Sequence, residues 1–194
     1  MKALLLSLLL TSSAATMAET HLWVFGDSLS GRAKSWPAIV DHYTKETYVK
    51  SAAQNGLSYA DLLGNPVFSV PDYLLCHRSP NFPKIKVVVW LGTNDAIFGT
   101  EINAFRSSVD AAITALQAKQ CEFYIVLPPM PEHSNPFYAE YIERRTIIAE
   151  IAAGHGEPVT DLRYNWKQTT DGLHPTELQS WMLAGQFIKL LNIK

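Results

Sequence analysis

The stretch KVVVWLGTND, residues 86–95, decides how the chain folds. Val87-Val88-Val89-Trp90 runs on into Leu91 without a polar position that could face water. A strand wetted on one side alternates apolar and polar residues, whereas a strand covered on both faces is apolar throughout. The run therefore reads as an inner strand of a sheet with helices on both sides. It stops at Gly92-Thr93-Asn94-Asp95, a cluster of turn-forming and polar residues.

Outward from this strand, residues 22–25, 47–51, 122–127 and 158–160 are four further β-rich segments. Helical patterns lie between and after them. Residues 35–43 carry apolar residues at helical spacing, with Pro37 in the first turn, where proline is tolerated. Residues 102–118 place Ile102, Phe105, Val109, Ile113 and Leu116 on one stripe. Residues 138–153 form a third pattern and residues 175–191 the last, with Pro175 expected at its first position. This alternation predicts one three-layer α/β domain with a mainly parallel sheet. Residues 64–83, with four prolines, read as a long irregular loop.

The 194 residues suit a single domain, and a net charge of −2 supplies no basic field for nucleic acid or anionic lipid. The first 18 residues read as a secretory signal. Met1-Lys2 is its positive end, residues 3–10 its apolar centre, and Thr16-Met17-Ala18 a cleavage site. The apolar centre is shorter than the roughly 20 residues that span a bilayer, and no later segment is long and apolar enough to do so. The expected mature domain is residues 19–194, exported to the periplasm or medium. Export makes Cys76 and Cys121 candidates for one disulfide; two separate buried thiols are the alternative.

In a parallel sheet, ligands bind beyond the carboxyl ends of the strands. The first strand runs into Gly26-Asp27-Ser28 and the second into Gln54-Asn55-Gly56. The third meets Gly92-Thr93-Asn94-Asp95, the fourth Pro128-Pro129-Met130-Pro131, and Asp171-Gly172-Leu173-His174 follows the fifth. Each cluster alone has a structural explanation: Ser28 as a helix cap, Asn94 and Asp95 as turn residues, Asp171-Gly172 as a turn pair. Together they put a serine, a histidine and an acid at one end of the sheet. A serine hydroxyl needs a base to become a nucleophile. His174 is the best-placed base, and Asp171, three residues earlier, can return on a turn to hold its tautomer. The backbone N–H of Ser28, that of Gly56 and the Asn94 side-chain amide are candidate donors to an oxyanion. Asp27 and Asp95 are expected to brace loops. His21, His42, His77, His133 and His155 show no metal-ligand spacing, and no glycine-rich phosphate loop is present, so neither metal nor cofactor is expected.

These residues resemble the SGNH (GDSL) hydrolase superfamily of esterases and lipases. Gly26-Asp27-Ser28-Leu29, Gly56, Gly92-Thr93-Asn94-Asp95 and Asp171-Gly172-Leu173-His174 match its four blocks in order. The G-x-S-x-G elbow of the α/β-hydrolase fold is missing. The resemblance implies a flavodoxin-like sheet in the order 2-1-3-4-5. It further implies Ser28 as nucleophile, His174 as base, Asp171 as its partner, and Ser28, Gly56 and Asn94 as oxyanion donors. It would place Cys76 and Cys121 both at the amino end of the sheet, away from the site. The chain looks most like the small bacterial lysophospholipase/thioesterase subgroup, which implies an acyl ester as substrate. Met130, Phe137 and Trp166 are expected at the substrate pocket, with Leu62 and Leu63 beside an acyl chain. A deacetylase of O-acetylated polysaccharide is the alternative, with Trp166, Tyr59 and Tyr138 stacking on sugar rings. A binding module without catalysis is a third reading, disfavoured by the complete set of blocks.

Overall fold

Five strands form one parallel sheet: β1 (Thr20–Gly26), β2 (Thr47–Ser51), β3 (Lys84–Trp90), β4 (Glu122–Val126) and β5 (Val159–Thr160). Their order is β2-β1-β3-β4-β5, as the sequence implied. The computed structural model describes residues 20–64 and 84–193. The expected signal segment, most of the expected 64–83 loop, His77 and Cys76 lie outside the described residues; Cys121, just before β4, is disulfide-bonded.

The period-two geometry of the strands sorts their side chains into two cores. Trp23, Phe25, Val87, Val89 and Ile125 point to one face. There they meet α3 (Tyr59–Gly64), α5 (Ile102–Ala118) and α6 (Tyr138–Gly154). Leu22, Val24, Val88, Trp90 and Val126 point to the other. That face is covered by α1 (Ser28–Gly31), α2 (Trp36–Tyr43) and α7 (Glu177–Leu191). A short α4 (Thr93–Ile97) follows β3. Because Val87 to Leu91 is buried on both sides, the apolar run has no polar alternation.

Three sequence readings are corrected. Helix α7 begins at Glu177, not at Pro175, because the Thr176 hydroxyl caps it by accepting from the Gln179 N–H at 3.3 Å. Pro175 instead sits in an antiparallel bridge with Thr169. Tyr59 cannot stack on a substrate sugar, nor can Leu62 line an acyl pocket. Both are buried under α5 in the core, because α3 is amphipathic and turns these two positions inward.

Candidate active site

The turn after β1 is set by close packing. A Cβ on Gly26 would come within 2.8 Å of the Ser30 side chain, so only glycine lets α1 fold back against the strand end. Asp27 is extended and its Oδ1 accepts the Leu29 N–H at 2.9 Å, which caps α1. The cap is thus Asp27, and Ser28 is released from that task as the first helical residue. The turn is tied to the core: Trp36 Nε1 donates to Ser30 Oγ at 3.0 Å, and the Trp36 ring stacks on Phe187 at 3.5 Å.

His174 and Ser28, 146 residues apart in sequence, meet with Nε2 and Oγ separated by 2.8 Å. The other ring nitrogen, Nδ1, lies 2.7 Å from Asp171 Oδ2. Asp171 Oδ1 accepts the backbone N–H groups of His174 at 2.8 Å and Leu173 at 3.2 Å. Partial burial would raise the Asp171 pKa, but the hydrogen bonds from His174 and Leu173 outweigh it and bring it down to about 2. The ionised carboxylate then accepts from Nδ1–H, which leaves the Nε2 lone pair facing the serine hydroxyl. Ser28 is 8% exposed, enough for a small reacting group to reach it.

Strand pairing brings the other candidates to the same end. Gly26 is in register with Trp90, so the exits of β1 and β3 are adjacent. The Gln54 N–H donates to the Gly26 carbonyl at 3.0 Å, which ties the exit of β2 to the same turn. Gly56 has φ +81° in that loop, a conformation glycine adopts without strain. Asn94 is buried and gives one amide hydrogen to the Leu57 carbonyl at 3.0 Å, directly after Gly56. An amide carries two donors, so its second remains to be used. Asp95 braces the same corner by accepting the Tyr59 N–H at 3.1 Å, as expected of it.

The expected pocket residues are only partly brought together. Trp166 Nε1 donates to the Met130 carbonyl, joining the loop after β4 to the segment before Asp171. Phe137 is half-buried at the start of α6, its N–H on Asn135 Oδ1, and no hydrogen bond or ring contact joins it to Trp166 among the described residues. Two residues at the site were missed from sequence. The Tyr164 hydroxyl donates to the Leu173 carbonyl at 2.5 Å and so holds the loop that carries His174. Arg32 Nη2 lies 3.9 Å from Asp171 Oδ2. Neither belongs to a motif; only Arg32's nearness to Ser28 in sequence pointed to the site. Among the described residues no cluster of three or more metal-ligating side chains occurs and no helix is long and apolar enough to cross a membrane.

Comparison with known proteins shows the family and the fold. Residues 24–179 match the GDSL-like lipase/acylhydrolase family. An arylesterase of Vibrio mimicus is 25% identical, covering 92% of this chain and 94% of its own. Among solved structures, the acetyl xylan esterase AlAXEase has a TM-score of 0.73 at 19% identity, covering 88% of this chain and 99% of its own. The esterase EstA from Pseudoalteromonas sp. has a TM-score of 0.67 at 16% identity, covering 90% and 100%. With the sheet order, the four blocks and a match over most of its length, the chain belongs to the GDSL-like lipase/acylhydrolase family of SGNH hydrolases and is a carboxylic ester hydrolase.

Proposed function

We propose that the protein cleaves acyl esters through an acyl-enzyme on Ser28, with His174 as base and Asp171 orienting it. The observation that carries this reading is the unbroken relay Asp171–His174–Ser28, at 2.7 and 2.8 Å. As Ser28 Oγ attacks the acyl carbonyl, its proton passes to His174 Nε2. The carbonyl oxygen becomes an oxyanion facing the Ser28 N–H, the Gly56 N–H and the Asn94 amide. Collapse breaks the bond to the alkoxy oxygen, which takes the proton from His174 and leaves as alcohol. Water then gives a proton to His174, adds to the acyl carbon, and the acid leaves as Ser28 regains its hydrogen.

The substrate class favoured is an acyl ester in the lysophospholipase, esterase or thioesterase range. Support comes from Met130, which is 43% exposed and joined through its carbonyl to Trp166 beside the triad loop. A panel of nitrophenyl esters from acetyl to palmitoyl tests this; activity confined to acetyl overturns the long-chain version. A second reading, removal of acetyl groups from a polysaccharide, is favoured by the likeness to acetyl xylan esterases. Acetate release from an acetylated glycan, with no turnover of long-chain esters, selects it. We also propose export, on the pattern of residues 1–18. Cell fractionation with N-terminal sequencing tests it, and protein confined to the cytoplasm with Met1 intact overturns it.

A further inference from the structure

Asp27 uses one carboxyl oxygen to cap α1 and keeps the other for something else. Its Oδ2 is buried without a hydrogen-bond partner among the described residues, and the same holds for Thr93 Oγ1 and the Tyr141 hydroxyl. All three side chains are fully buried. The Thr93 hydroxyl is near enough to act on both Asp27 and Tyr141. Interiors seldom leave three such groups unsatisfied. Hydroxyls both donate and accept, so Tyr141 can donate to Thr93 and Thr93 to Asp27 Oδ2, which satisfies all three. Burial pushes the Asp27 pKa up to about 7, against the lowering that the Leu29 N–H and the Thr93 hydroxyl exert on it.

The three residues also come from three elements. Asp27 leads into the nucleophile, Thr93 opens α4 beside Asn94, and Tyr141 stands in the first turn of α6. We propose that Asp27, Thr93 and Tyr141 are positioning residues: the Thr93 hydroxyl joins the Asp27 carboxyl of the nucleophile turn to the helix start carrying Asn94, and so sets the spacing between the Ser28 hydroxyl and the Asn94 amide. The inference rests on the reading of Asn94 as an oxyanion donor. It assigns Asp27 a task beyond bracing its own loop, since a link toward Thr93 reaches across from the end of β1 to the end of β3.

The test is a kinetic cycle on the full chain with a nitrophenyl ester. Asn94→Ala is expected to lower kcat about 100-fold, the usual cost of one oxyanion donor. Thr93→Val and Tyr141→Phe should each lower kcat roughly tenfold at nearly constant KM, since small misplacements act on the transition state. In the Asn94→Ala background the same changes should cost less than about threefold, because no amide is left to misplace. Equal losses in both backgrounds would mean a structural role alone and overturn the proposal. If Asn94→Ala loses activity and Thr93→Val does not, the oxyanion reading stands and the network fails. If Asn94→Ala changes nothing, the oxyanion reading fails and the network falls with it. Asp27→Asn, which keeps both the cap on Leu29 and a polar group toward Thr93, should retain roughly tenfold more kcat than Asp27→Ala; an Asn variant no better than Ala overturns the link through Asp27. Should Asp27→Ala not fold, the Thr93 and Tyr141 cycles decide.

Discussion

At the scale of single residues, the site depends on contacts too short to tolerate extra atoms. Adding a methyl at Gly26 would drive it into Ser30, on the helix turn that holds Ser28. Gly26→Ala should therefore cost on the order of 100-fold in kcat, as a displacement near 1 Å does; a fully active Gly26→Ala enzyme would show that the turn yields freely. Ser28→Ala and His174→Ala should each cost several orders of magnitude, and the double variant little more, because the relay acts as a unit. Strictly additive losses in steady-state kinetics would contradict that coupling. The meeting of Ser28, His174 and Asp171 was legible in the sequence because their residue types leave few chemistries open once they share one end of a sheet. Tyr164 was not, because its hydroxyl serves a backbone carbonyl nine residues away, and such a bond leaves no trace in residue identity.

At the scale of elements, the strands were readable where burial removes all alternation, as at Val87 to Leu91. The start of α7 was misread because proline's preference for a first helical position was placed above the Thr176-x-x-Gln179 pattern, a helix-start signature of which the Thr176 cap is formed. Removing that cap with Thr176→Ala should lower stability by about 1 kcal/mol in urea unfolding. Tyr59 and Leu62 were misplaced for a related reason: their nearness to a site loop in sequence says nothing of which face of α3 they occupy. Between elements, the Trp36 ring of α2 stacks on Phe187 of α7 at 3.5 Å. Trp36→Ala should cost about 3–5 kcal/mol, the range for a large buried aromatic, and should also loosen Ser30, whose hydroxyl accepts the indole N–H. Unchanged unfolding midpoints would show that this core face is dispensable.

For the whole molecule, two carboxyls give stability opposite slopes with pH. Asp171 falls to about 2 in the fold against about 3.9 in the unfolded chain. Its contribution is complete above pH 4 and is lost as pH drops through that interval. Asp27 rises to about 7, so the folded chain holds a proton that the unfolded chain has released. Folding then weakens as pH climbs from about 4 to about 7, by on the order of 1.4 kcal/mol for each pH unit of that window, and levels off above it. Urea midpoints measured across pH 3–9 should show the decline, and Asp27→Asn should flatten it; the same decline in the variant would assign it elsewhere. The 146-residue span between Ser28 and His174 has a further consequence during synthesis. A growing polypeptide carries its hydroxyl long before it acquires this imidazole, so a ribosome stalled before codon 171 displays a chain without the relay. Timing is thereby written into residue order: no hydrolase exists until the ribosome has passed codon 174.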